Sequence, residues 1–290
     1  LLFLTSKITM EKRHIKRLHQ AEYRPIADLI TYSPMPTHRL KHLDPFLFLN
    51  HHGYQEYPSN NNGLPFGPHP HRGMETVTFI LQGDIMHEDS GNHREVIGPK
   101  GVQYMTAGRG LIHSEVSSPE FKAEGGPLEI LQLWLNLPAD HKMKAPAYVG
   151  KQADEMVELD LGDGSSLQLI FGAFEGVEGS FQPSYPIWMA SLFLKPDALF
   201  ERAVPKEHSI FLYIVRGSIS IAGTEVSMRQ LVEFEDEGEH VAIQASEDAV
   251  VLFGHAKPFH EPIVAQGPFV MNSQEQIQEA YRDYRMGKFA

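Results

Sequence analysis

Over most of its 290 residues the chain is cut into apolar, β-branched runs of strand length, each closed by Gly, Pro or Asn. In the first half, residues 44–50, 75–81, 85–88, 95–97, 102–106 and 128–137 read this way. In the second half, 167–171, 188–194, 209–215, 218–222, 230–234 and 250–255 do so. No helical period fills the gaps between them. Short strands at this spacing bury their apolar faces as a sandwich or barrel, so the fold class expected is all-β and antiparallel. The strand–turn–strand passage at 209–223 echoes the one at 75–88, which points to two copies of one barrel. A polar stretch bounded by Pro138 and Pro146 separates an expected unit at 10–140 from one at 147–290. Only the tail differs. Ser273 and Gln276 form a capping box, and Ile277, Ala280, Tyr281 and Tyr284 follow at helical spacing before Gly287. One short amphipathic C-terminal α-helix against a barrel is expected there.

Composition removes several function classes. With no cysteine there is no disulfide, zinc–thiolate site or cysteine nucleophile. A net charge of −12 opposes direct nucleic-acid binding, which needs clustered Lys and Arg. The longest apolar runs fall far short of a membrane span. Residues 1–4 are apolar, but Lys7 interrupts before any signal-peptide core develops, and Met10 is a plausible start, so residues 1–9 are set aside. The basic stretch 11–19 reads as a solvated face, and 54–68, rich in Asn, Gly and Pro, as a long loop leading to the histidines.

Two short stretches carry the chemistry. His69 and His71 stand two apart in 68–75, and His113 and Glu115 stand two apart in 108–115. In a strand, residues i and i+2 share a face, so each pair can look into one cavity. Three imidazoles and a carboxylate suit a divalent transition metal. Glycines beside both pairs allow close backbone approach. Glu75 is the rival carboxylate because its parity matches His69 and His71, but Gly73 can break that register. Glu115 is therefore favoured as ligand, with Glu75 a nearby polar residue. Arg72 and Arg109 flank the pairs as anion-steering groups or structural ion pairs. His51, His52, His87 and His93 lie in or beside predicted turns and read as solvated. The histidines of the second half are scattered, and no second metal is expected.

The segment Gly63-x5-His69-x-His71-x3-Glu75 looks like the first cupin motif, with its closing Gly83 one residue late. The second motif is altered: Thr106-Ala107-Gly108 stands where Pro-x-Gly is common, and His113 comes late. These departures, together with 68–78, 105–115 and the tail at 261–272, closely resemble the pirin family of bicupins over residues 20–289. The resemblance implies two cupin-type barrels, the second degenerate, and a single metal in the first. That metal would be held by His69, His71, His113 and Glu115, which settles the carboxylate against Glu75. It would be Fe(II), with manganese, copper, nickel or zinc as alternatives. The resemblance further implies a flavonol (quercetin) 2,3-dioxygenase acting on a small enol and O2; for that reaction Glu115 is the expected catalytic base, a metal ligand that swings away to take the substrate's hydroxyl proton. The alternative it carries is a metal- or redox-dependent regulator that binds a transcription factor or a metabolic enzyme. A cytoplasmic location is expected, or a nuclear one in a eukaryote.

Overall fold

The computed structural model describes residues 11–289; the reading of 1–9 lies outside the described residues. Two seven-stranded and two four-stranded antiparallel sheets carry most of the described residues, with two further two-stranded ribbons. The first large sheet runs, in spatial order, Ala147–Lys151, Val102–Thr106, Met74–Gln82, Gly126–Asn136, Phe46–Tyr57, Thr31–Met35, Glu22–Tyr23. Its small companion runs Phe66–His71, Leu111–Val116, Ile85–Asp89, Arg94–Ile97. The second large sheet runs Ile15–Gln20, Gln230–Phe234, Ser209–Arg216, Ala249–Ala256, Ile187–Leu194, Ser165–Phe171, Val157–Gly162. Its companion runs Leu199–Ala203, His240–Ala245, Ser218–Ile221, Thr224–Ser227. The two units match strand for strand, and the repeat read between 75–88 and 209–223 falls on equivalent hairpins. This is an all-β bicupin with a short C-terminal helix. Among the described residues no helix is long and apolar enough to cross a membrane.

Period-two alternation explains where the cores lie. Odd residues of Met74–Gln82, such as Val77 and Phe79, face the second unit and pack with Phe46, Leu133, Phe211, Tyr213 and Leu252. Phe46 and Phe211 stack across this junction at 5.3 Å between ring centroids. The largest apolar cluster is therefore the interface between the units. Inside the second barrel, Leu169, Leu192, Leu212, Ile214, Ile243 and Val251 fill the space with hydrocarbon. Inside the first, equivalent space holds buried His71, Gln103, His113 and Glu115. Burying polar groups is costly unless something partners them, so that contrast makes the first barrel the place to look for a site.

The termini cross between units. The strand Ile15–Gln20 pairs with Gln230–Phe234 of the second unit, burying Arg13 and His19. The basic stretch is thus in part a sheet edge: Arg13 donates to the carbonyls of Glu235 and Lys206, and His19 pairs with Glu233. At the other end, the helix Gln274–Arg285 starts at the expected Ser273–Gln276 capping box and lies on the first unit. Arg72 reaches Asp283 at 3.0 Å and lies 4.6 Å from the centre of the Phe289 ring, so it is a structural ion pair. Gly73, at φ +79°, passes so close to the tail that an added Cβ would meet the Val270 carbonyl at 2.0 Å. A second helix, Pro119–Glu124, was not foreseen; Ser118 caps it by accepting from the Phe121 N–H. The loop expected over 54–68 shrinks to 58–65, because Phe46–Tyr57 runs on and Phe66–His71 starts early.

Lys142 locks the tail to the first unit. It is 1% exposed, and its ammonium donates to Gly73 O at 2.9 Å, Asn136 Oδ1 at 2.7 Å and Val270 O at 3.1 Å. Burial pushes its pKa down to about 8, so at pH 7 it is still mostly charged, with three protons for three acceptors. Lys142→Met should cost about 3 kcal/mol, because it leaves three buried acceptors without a donor. Urea denaturation measures this; a variant as stable as the parent would refute the accounting.

Candidate metal centre

The strand Phe66–His71 is an edge strand, and that position explains how it can contain Pro68 and Pro70. The prolines stiffen the backbone and alternate with His69 and His71. The neighbouring strand Leu111–Val116 pairs with it antiparallel, placing His113 directly opposite His69. Imidazole centroids lie 4.4 Å apart for His69–His113, 4.9 Å for His69–His71 and 5.0 Å for His71–His113. One ring nitrogen from each comes within 4.8 Å of the others.

The hydrogen bonds orient these rings. His69 Nδ1 donates to Gly67 O at 2.8 Å, and His71 Nδ1 donates to Pro268 O at 3.3 Å. Each ring therefore keeps its Nε2 lone pair. Among the described residues, buried His71 Nε2 and both nitrogens of His113 have no hydrogen-bond partner. Burial, then the neighbouring imidazoles, lowers His71 to about 3 and His113 well below its ordinary value. Three converging rings, with unpartnered buried nitrogens on His71 and His113 among the described residues, fit a divalent metal, which binds imidazole in the deprotonated form.

Glu115 shares this interior but stands beside the trio. Its Oε2 is 3.9 Å from His113 Nε2. Gln132 donates to Oε2 at 2.6 Å, Gln103 and Thr78 donate to Oε1, and the Trp134 indole in turn donates to the Gln132 carbonyl oxygen at 3.1 Å. Glu75 points the other way. The chain breaks at Arg72–Gly73, and the strand Met74–Gln82 turns Glu75 into the junction between units, where Thr106 and Ser184 donate to it. Burial raises its pKa.

Three histidines read as solvated are buried instead. His51 lies between the units, bonded to Tyr213 and Glu129. His52 lies inside the first barrel against Thr31, and burial lowers it to about 3. His87 bonds Asp89 at 3.0 Å and stacks on Tyr148. His51 and His52 belong to a strand that runs on past its expected end, and His87 lies on the buried face of the strand expected over 85–88. His93 is half exposed beside Asp89. Gln103 and Gln132 went unnoticed, although a glutamine within an apolar strand is the signal that could have found them.

Known proteins sharpen the picture. Residues 28–135 match the model of the Pirin family, and 189–290 match that of the Pirin C-terminal cupin domain. The chain belongs to the pirin family. A Pseudomonas aeruginosa protein provisionally named as a quercetin 2,3-dioxygenase is 33% identical over 266 residues, 91% of this chain and 92% of that one. Mouse pirin is 34% identical, over 86% of this chain and 84% of its own. A solved quercetin 2,3-dioxygenase from Acinetobacter baumannii superposes with a TM-score of 0.90 at 30% identity, over 96% of this chain and 99% of that one. An Escherichia coli pirin solved with nickel(II) shares the fold, at TM-score 0.67 and 21% identity over 83% of this chain and 99% of that one.

Proposed function

We propose that this pirin is a metal-dependent oxygenase of flavonol-type enols, with one metal held by His69, His71, His113 and Glu115. The observation that carries the reading is the trio of imidazoles, His71 and His113 buried and His69 half-buried, whose ring nitrogens converge inside the first barrel. When bound, the metal, iron in this reading, supplies a Lewis acid and a redox partner for an enol oxygen and O2. With three neutral imidazoles and one carboxylate, Fe(II) would leave the centre at about +1, which favours an anionic oxygen ligand.

The chain's own groups fit such a substrate. Phe48 and Trp134 stack at 4.5 Å, and Trp134 lies edge-on to His71 at 5.2 Å, a wall suited to a flat aromatic ring. Glu115, held in place by the Gln103 and Gln132 amides, is positioned to take the substrate hydroxyl proton. Iron-loaded protein should consume O2 and bleach quercetin together, and chelator-treated protein should do neither. An oxygen electrode run beside absorbance measures both. Silence across quercetin and a panel of smaller enols would end the oxygenase reading and leave the metal site standing.

A further inference from the structure

The second barrel carries a donor-lined cleft at the end where Ser209–Arg216 begins, the end that corresponds to the start of Met74–Gln82 in the first. Here Trp188 and Ile210 are both register partners of His255. The cleft measures about 360 Å³, toward the lower end for small-molecule sites. Trp188, Arg202, His208 and His255 line it, and Phe181, Pro183, Pro186 and Ile187 give it apolar walls.

Its polar groups are donors. The Arg202 guanidinium lies 4.3 Å from the centre of the Trp188 ring and has, among the described residues, only long contacts of 3.5 Å to Ala173 O and His255 Nε2. Those contacts are at the outer limit of hydrogen bonding, so most of its fork is free. Trp188 is 3% exposed, yet among the described residues its indole N–H has no partner. His208 Nδ1 and His255 Nδ1 are 3.0 Å apart, so one donates and the other accepts. The Arg202 Nε–H faces His255 Nε2, which makes that nitrogen the acceptor and puts the His255 proton on Nδ1. His208 therefore accepts at Nδ1 and keeps an Nε2–H for a ligand. Burial, then the Arg202 charge, holds His255 neutral, down to about 3. The lining carboxylate, Glu178, is exposed.

We propose that the mouth of the second barrel binds a small organic carboxylate with an apolar body. The carboxylate would accept from Arg202, Trp188 and His208, and the proline and aromatic walls would take the body. One cation without an ion-pair partner suits a monoanion rather than a phosphate dianion.

Calorimetric titration of the full chain with benzoate, benzamide and inorganic phosphate tests this. Benzoate should bind once per chain, at least about tenfold tighter than neutral benzamide or phosphate. Arg202→Gln should weaken benzoate at least about tenfold, and Trp188→Phe, which keeps a ring but loses the N–H, at least about threefold. Quercetin turnover should be unchanged in both variants. Equal binding of benzoate and benzamide, preference for phosphate, or unaltered benzoate affinity in Trp188→Phe would each overturn the proposal. The last comparison stands even if Arg202→Gln fails to fold.

Discussion

Protein carrying His113→Ala should be purified with almost no metal, while folding as well as the parent. His113 sits opposite His69 in the ladder and within ring contact of His71, and among the described residues neither of its nitrogens has a hydrogen-bond partner. Such a ring gains little from its surroundings until a metal arrives. Deleting it removes one imidazole of three and leaves a pair that could hold a metal only weakly. The loss should exceed the roughly 10–100-fold attached to groups that merely orient a ligand. His87 is the control: its ring centroid is 5.4 Å from that of His113, but its Nε2 is bound to Asp89. Elemental analysis after loading with Fe(II) should find the metal retained in His87→Asn and missing in His113→Ala. Equal occupancy in the two would show that the trio is a packing cluster.

The parts of this molecule legible from residues alone are those fixed locally. His69 and His71, like His113 and Glu115, share a face because strand geometry has period two. The tail helix was visible because Ser273 and Gln276 cap it within one turn. The twin hairpins were visible because Gln82–Gly83 and Arg216–Gly217 mark equivalent turns. What escaped depends on distant pairing. Ile15–Gln20 and Ala147–Lys151 are edge strands of mixed polarity, and nothing in their own residues says which sheet will take them. His51 and His52 look alike in sequence. Only their places in Phe46–Tyr57 send one to the junction and the other into the barrel. Gln103 and Gln132 acquire meaning once the inward face of each strand is known, since only then do they converge on Glu115. The second unit shows the complementary point. Its cleft joins Trp188, Arg202, His208 and His255, which no motif connects.

Glu115→Gln should separate holding the metal from using it. Glu115 receives donors from Thr78, Gln103 and Gln132, with the Gln132 amide itself fixed by Trp134. Three donors fix this carboxylate in orientation, and they hold it 3.9 Å from His113 Nε2 rather than within the imidazole cluster. A carboxylate so placed can serve as fourth ligand and as base, and the substitution weighs the two roles. Glutamine keeps the shape and an oxygen donor, but it cannot accept a proton at neutral pH. If the imidazoles do most of the gripping, metal content should fall only a few-fold while quercetin turnover falls by about 10²–10⁴, the usual worth of a positioned base. The loss should sit in kcat rather than KM, because proton removal belongs to the transition state. A quercetin analogue methylated at the 3-hydroxyl has no proton to give, so parent and variant should be equally inert toward it. Turnover that survives in Glu115→Gln would remove the carboxylate from the chemistry. Loss of metal in step with loss of rate would make Glu115 a ligand alone.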